Sequence, residues 1–306
     1  MEIYDLIIVG SGPAGLSASI YAGRSLMKTL VIGEESGGEA GRAGVIWNYP
    51  GFKNIDGYEL TILMKEQAKD MGVKFYDEKV SEIKKDDEGF KVTAEGKEFS
   101  AKSVILASGS ERRKLGLPNE VELKGKGVHY CVVCDGPVYT GKTIAIVGGG
   151  SAAVKSAIAA SGYAKKIYMI VLESELIGEP ASIELLKKIG SNIEFLFKTQ
   201  IKELKGEEKL ESLILDNKFQ DSNELKIDGL FIEIGSMPKN ELAKSLEVAL
   251  DKRGYIEVDA SMNTNIPGIF AAGDIANLFG NFKQIITSTG MGAVAANSAY
   301  HFIKGK

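Results

Sequence analysis

Cys131 and Cys134 are the only cysteines of the chain, and two residues separate them. Oxidation of a Cys-x-x-Cys pair closes a small ring, so intramolecular disulfide formation is fast, with one thiol attacking and the other resolving. Two cysteines are too few for a disulfide-stapled secreted fold. With only His129 and His301 as imidazoles, they are also thin material for a zinc site, and no metal is expected. In a reducing compartment such a pair reads most simply as a working dithiol, the alternative being two packed thiols. Asp135 follows directly and precedes Gly136. It is either a turn residue or the acid/base that manages thiol protons. His129 beside the pair is read as structural or solvent-exposed, the alternative being a group that lowers a thiol pKa.

A second kind of chemistry is written in two glycine loops. Gly10-Ser11-Gly12-Pro13-Ala14-Gly15 follows the apolar run Tyr4 to Val9, and Gly148-Gly149-Gly150-Ser151-Ala152-Ala153 follows Thr143 to Val147. A G-x-G-x-x-G between a strand and a helix binds a pyrophosphate. The first glycine makes the turn, the second lets the backbone approach the phosphates, and the third lets helix and strand pack closely. One such loop alone is a weak signal, the alternative being a tight turn in an α/β fold. Two in one chain, each in a strand–turn–helix–strand context, imply two nucleotide-type folds.

The elements that must position these groups follow from the pattern. The runs before each loop are short and β-branched, as strands buried on both faces of a parallel sheet should be. Each loop is followed by a small-residue helix, to Ser25 and to about Ser161, and then by a further strand, Thr29 to Ile32 and Lys166 to Leu172. Val104 to Gly109, Leu230 to Gly235 and Gly268 to Asp274 read as strands running into tight turns. The alternating stretches Val80 to Ser100 and Thr199 to Asp228 predict antiparallel hairpins. The stretch from Gly268 to Phe302 reads as a return to the first domain. The expected class is therefore α/β: two Rossmann-like nucleotide-binding domains of three-layer ββα type, the second inserted in the first. The expected boundaries are 1–113 with 244–306, and 114–243.

Composition is that of an ordinary globular protein, with 44% hydrophobic and 25% charged residues over 306 positions. A formal charge of -4 gives no reason to expect nucleic acid or an anionic membrane as partner. No apolar run approaches the ~20 residues of a bilayer span, and the N-terminal residues lack the pattern of a signal peptide. The expected location is cytoplasmic.

Taken together, Gly10 to Gly15, Gly37-Gly38, Asn48-Tyr49-Pro50-Gly51, Ala107-Ser108-Gly109, the Cys131 to Gly136 segment, Gly148 to Ala153, and Ala271-Ala272-Gly273-Asp274 with Gln284 resemble the low-molecular-weight thioredoxin reductases over essentially the whole chain. The resemblance implies FAD on the first domain, a homodimer, and a large domain rotation in turnover. It implies electron flow from a donor through FAD and the Cys131/Cys134 dithiol to the disulfide of thioredoxin. Cys134 would lie against the flavin, Cys131 would attack thioredoxin, and Asp135 would serve as acid/base. The cofactor residues it implies are Gly10, Gly12, Pro13, Ala14, Gly15, Gly38, Asn48, Ala107, Gly109, Gly273, Asp274, Gln284 and Ile285. Glu34 or Glu35, at the end of the second strand, is the candidate for the adenosine ribose, unless Gly33 occupies that position.

The family pattern breaks at the donor site. NADPH-dependent members carry a His-Arg-Arg run after the second strand of the inserted domain, and another Arg beyond it. Here that stretch is Val171-Leu172-Glu173-Ser174-Glu175-Leu176, and no Arg occurs between Arg113 and Arg253. Losing two charge-assisted hydrogen bonds of ~1.5–3 kcal/mol each costs on the order of a hundredfold or more in NADPH affinity. Lys155, Lys165 and Lys166 could compensate in part, although Lys does not clamp phosphate bidentately. Glu39 and Trp47 also depart from the family's usual residues. The expected donor is therefore reduced ferredoxin or NADH, and NAD(P)H binding is doubtful. The competing functions are an NADPH-dependent thioredoxin reductase, a flavin dithiol oxidase that uses oxygen, and a non-enzymatic redox sensor.

Overall fold

The computed structural model describes residues 3–219, 221–280 and 282–305. The chain divides into two compact units, one formed by residues 1–111 and 238–306 and the other by 112–237. The crossings fall two and six residues before the positions expected from the sequence. Arg112 Nη1 donates to Glu233 Oε2 at 3.0 Å, and the Arg113 amide donates to the Gly235 carbonyl at 2.9 Å, which ties both arginines to the inserted unit. On the return, Asn240 Nδ2 donates to the Gly254 carbonyl at 2.6 Å and Ala243 is buried in the core of the first unit.

In the discontinuous unit a seven-stranded sheet carries the first glycine loop. Strand Ile3–Val9 pairs in parallel with Thr29–Ile32 on one side and with Lys97–Leu106 on the other. The last of these is long enough to do two jobs. Its first half pairs antiparallel with Gly89–Ala94, and its second half, Val104 to Leu106, pairs in parallel with Ile269–Ala271. The expected hairpin from Val80 to Ser100 is present as the antiparallel ladder of Val80–Asp86, Gly89–Ala94 and Lys97–Leu106.

Small residues let two helices close on each other above this sheet. Helix Pro13–Arg24 packs on helix Ile285–Lys304 so tightly that a Cβ on Gly292 would stand 2.1 Å from the Ala14 carbonyl oxygen. Ser17 Oγ donates to the Thr289 carbonyl across the same contact at 2.7 Å.

The inserted unit is a three-layer sandwich. Its five-stranded parallel sheet runs, in spatial order, Val128–His129, Gly229–Ile232, Thr143–Val147, Lys166–Val171 and Ile193–Phe197. Successive side chains of a strand point to opposite faces, and the core divides accordingly. Ile144, Ile146, Ile167, Met169 and Phe231 pack on one face against Ala153, Val154 and Ala157 of helix Ser151–Ser161. Ala145, Val147, Ile170, Leu230 and Ile232 pack on the other against Leu204, Leu213 and Leu225. Those leucines come from the antiparallel sheet of Ile201–Lys205, Ser212–Phe219 and Ser222–Lys226, which is the second hairpin region expected from the sequence. Burial on both faces is why the parallel strands read as unbroken apolar runs. Among the described residues no helix is long and apolar enough to cross a membrane.

Candidate active site

The dithiol sits in the inserted unit, on a turn clamped at both ends. Cys131 and Cys134 form a disulfide with their Cα atoms 5.3 Å apart. Cys131 caps the one-turn helix Val132–Asp135, and its Sγ accepts the Cys134 amide at 3.1 Å. The Asp135 amide donates to the Cys131 carbonyl at 3.0 Å. Upstream, the Tyr130 hydroxyl donates to the buried Glu120 carboxylate, which also takes the amides of Leu115, Gly116 and Leu117. Burial first, and then Glu120, push the Tyr130 phenol up, so it stays protonated as a donor.

Downstream, Asp135 is held by His129, which is neither solvent-exposed nor an isolated core residue. His129 is 7% exposed, and its Nδ1 lies 3.2 Å from Asp135 Oδ2 while its Nε2 lies 2.7 Å from the Tyr139 hydroxyl. Asp135 is thus a half-exposed carboxylate, directly after Cys134, held on its inner side by a buried imidazole. This juxtaposition depends on the turn and was not legible in the spacing. Among the described residues no cluster of three or more His, Cys, Asp or Glu is placed to hold a metal ion.

The first glycine loop lies in the discontinuous unit, and its glycines separate by role. Gly10 has φ +114°, and a Cβ there would stand 2.2 Å from the Ala107 carbonyl oxygen, so it lets two strands approach. A Cβ on Gly15 would stand 1.9 Å from the Gly10 carbonyl oxygen, so it lets helix Pro13–Arg24 sit on the turn. Gly12 differs: nothing stands nearer than the Gly37 carbonyl oxygen at 4.0 Å. It caps the helix without a side-chain cap, with Pro13 in the first turn. Gly38 reaches the same cleft, with a Cβ position 3.4 Å from Gly12 Cα. A side-chain-free cleft over a helix N-terminus is what a pyrophosphate requires. Gly273, at φ +84°, packs on Ala14, which brings Asp274 to the same end of the sheet. Asn48 Nδ2 donates to Gln284 Oε1 at 2.9 Å, and Gln284 caps helix Ile285–Lys304. Ala107 is buried against Gly10, and Gly109 turns the chain at φ +68°.

At the end of the second strand Gly33 stands against the loop, its Cβ site 2.8 Å from both Ser11 N and Ser11 Oγ, and Glu34 beyond it is exposed. Glu35 is paired with Arg42.

Two residues of this site carry no signature in the sequence. Ser288 Oγ donates to Asp274 Oδ1 at 3.2 Å, and Lys283 Nζ donates to the Ala276 carbonyl and lies 4.4 Å from the Tyr255 ring centre. Burial pushes the Asp274 carboxyl up, against the pull of Lys283 and Ser288. Burial likewise pulls the Lys283 ammonium down, against the attraction of Asp274. A partly buried carboxylate with one serine partner has acceptor capacity left for a polyol hydroxyl. The open cleft, the helix N-terminus and Asp274 together fit a flavin dinucleotide. Asp274→Ala is expected to weaken flavin retention by about tenfold or more, the worth of one charge-assisted hydrogen bond. Flavin content after gel filtration of the variant checks this.

The second glycine loop is built the same way but is faced differently. Gly148 has φ +131° and abuts the Glu233 carbonyl, its Cβ site 2.3 Å from that oxygen, so strand and turn approach as in the first loop. In front of the loop, Glu173 Oε2 lies 3.4 Å from the Cβ position of Gly149. The Ile177 amide donates to the Gly149 carbonyl at 2.8 Å, and the Glu179 amide donates to Ser151 Oγ at 3.1 Å. A Cβ on Gly178 would stand 3.4 Å from the Ser151 amide nitrogen. The segment 177–179 therefore lies across the N-terminus of helix Ser151–Ser161. Lys155 and Lys166 do not replace the missing arginines at the loop, since they pair with Glu179 at 3.2 Å and Glu194 at 2.7 Å. Behind the loop, Ser156 Oγ donates to the buried Glu233 carboxylate at 2.7 Å, on the opposite oxygen from Arg112.

Comparison with known proteins identifies the family. Residues 4–295 match the family model described as pyridine nucleotide-disulphide oxidoreductase. The chain is 37% identical over 306 residues to the thioredoxin reductase of Bacillus subtilis, covering 99% of this chain and 96% of that one. It superposes on the Lactococcus lactis thioredoxin reductase in its FR conformation with TM-score 0.93 and 36% identity, covering 99% and 100% of the two chains. A ferredoxin-flavin thioredoxin reductase from Clostridium acetobutylicum matches with TM-score 0.55 and 34% identity, covering 100% and 99%. A dithiol turn before the second of two glycine loops, within a match of this length and identity, places the chain in the pyridine nucleotide-disulphide oxidoreductases, as a member of the low-molecular-weight thioredoxin reductase family.

Proposed function

We propose that this protein reduces the disulfide of thioredoxin, and that its electron donor is reduced ferredoxin rather than NADPH. The observation that carries the donor is the second glycine loop, where a carboxylate and the backbone of 177–179 stand where a nucleotide phosphate would approach. Anionic Glu173 there repels phosphate, and two of the lysines that could offset it, Lys155 and Lys166, are engaged by glutamates. A donor that docks as a protein needs no such site. The C. acetobutylicum relative, named a ferredoxin-flavin thioredoxin reductase, supports this reading. The driving force is ample: a ferredoxin near ~-400 mV and a thioredoxin near ~-270 mV differ by roughly 6 kcal/mol for two electrons. The family's homodimer and a reducing cytoplasmic setting belong to the same proposal.

FAD, when bound by Gly12, Gly38, Asp274 and their neighbours, supplies a centre that takes electrons singly and gives them as a pair. The chain's own residues do the rest. Reduction of the Cys131–Cys134 disulfide takes two electrons and two protons and yields two thiols. Cys131, deprotonated, attacks one sulfur of the thioredoxin disulfide; a mixed disulfide forms and one thioredoxin thiolate leaves and is protonated. Cys134, deprotonated, then attacks Cys131 Sγ, which restores the Cys131–Cys134 bond and releases the second thioredoxin thiolate. Asp135 takes up and returns the protons of these steps.

One observation favours a second reading. Glu173 follows the second strand of its unit and faces Gly149, the place from which an acidic residue bonds a ribose hydroxyl in NAD sites. Anaerobic titration of the visible flavin band separates the readings. Reduced ferredoxin is expected to bleach it, oxidised thioredoxin to restore it, and NADPH to act at least about a hundredfold more weakly. Rapid bleaching by NADPH overturns the donor assignment, and bleaching by NADH alone selects the second reading.

A further inference from the structure

We infer that His129 is a positioning residue for the dithiol, holding the Asp135 carboxylate through a proton arrangement that Tyr139 dictates. The inference rests on the disulfide-reductase reading above.

His129 stands in the short strand Val128–His129, opposite Phe231 in the parallel ladder. Its ring stacks on the Phe231 ring at 5.3 Å and 26°, and meets Tyr139 edge-on at 5.4 Å, so its orientation is set by packing. The polar edges of the ring are both used, by Asp135 Oδ2 at 3.2 Å and the Tyr139 hydroxyl at 2.7 Å.

The order of protons along this chain follows from Tyr139. Burial, then Asp135 and Asp228, push its phenol up, so it is an O–H donor throughout the working pH range. An O–H pointed at Nε2 makes that nitrogen the acceptor. The proton of the neutral imidazole is then on Nδ1 and is donated to Asp135. The groups that face this arrangement are Asp135 from the cysteine turn, Tyr139 from the turn Gly136–Tyr139, and Asp228 and Lys142 acting on Tyr139; Phe231 brings no charge. One carboxylate oxygen is thus taken by a fixed donor and the other is left for thiol protons.

Two substitutions separate this role from packing. His129→Asn places an amide N–H where Nδ1–H stands and keeps the Asp135 bond. His129→Gln reaches the Tyr139 hydroxyl in place of Nε2 and leaves Asp135 without its donor. The flavin-loaded full chain is reduced anaerobically with dithionite. The pH dependence of thioredoxin reduction is then measured alongside that of iodoacetamide alkylation of the reduced dithiol. His129→Gln is expected to displace the acid limb of both profiles from the wild-type position and to lower plateau turnover about tenfold. His129→Asn is expected to stay within about twofold of the wild type, with flavin content unchanged in both variants. Profiles of His129→Gln that overlay the wild type overturn the inference, as does an equal loss in His129→Asn, which would assign the histidine to packing alone. Failure of the reductase reading shows differently: the wild type then leaves thioredoxin oxidised, while the alkylation midpoint still separates His129→Gln from wild type.

Discussion

Cys134→Ser is expected to lower the turnover of thioredoxin at least about a thousandfold, or about 4 kcal/mol of barrier, and to accumulate a covalent adduct with thioredoxin. The attacking thiolate of Cys131 remains in this variant, but nothing can resolve the mixed disulfide it forms. Cys131→Ser should lose turnover equally and form no adduct, because the remaining thiol is the resolving one. Non-reducing electrophoresis after mixing each reduced variant with oxidised thioredoxin reads the difference directly. An adduct with Cys131→Ser instead would reverse the two roles. Equal turnover in all three proteins would remove the dithiol from the electron path and leave a regulatory pair.

The second large effect concerns the donor. Glu173→Arg exchanges the carboxylate before Gly149 for a guanidinium, removing a repulsion and adding a fork that fits phosphate. NADPH-driven bleaching of the flavin is expected to rise by roughly tenfold to a hundredfold, one charge-assisted interaction of ~1.5–3 kcal/mol. Ferredoxin-driven reduction should be unchanged, since that route does not pass through the loop. A loss of NADH-driven reduction in the same variant would instead identify Glu173 as a ribose ligand. No gain with NADPH would place the obstruction in the backbone of 177–179, which closes on Ser151 irrespective of residue 173.

These two expectations differ in how they were reached. The dithiol was legible in the sequence because Cys-x-x-Cys carries its chemistry in its spacing, and a local helical turn is all that is needed to bring the sulfurs together. At the donor site the sequence carries only an absence, the missing arginines; the fold adds Glu173 at Gly149 and engages Lys155 with Glu179.

The glycine loops, the parallel strands and the two hairpin regions were determined by the sequence itself. A strand buried on both faces must be apolar throughout, and Gly10 and Gly15 are demanded by carbonyl oxygens 2.2 and 1.9 Å from where their Cβ atoms would stand. Such constraints act within a few residues or along one strand, so they leave a local mark. Other features were decided only by tertiary structure. The unit boundaries follow from Arg112 reaching Glu233, 121 positions away. Lys283 and Ser288 became partners of Asp274 because a helix returns to the end of the sheet. His129 looked like a spectator until the turn carried Asp135 and Tyr139 to its two nitrogens. Polar side chains obey no periodicity, and their partners are chosen by which backbone segments pack together; their roles are therefore written in the fold and not in the spacing.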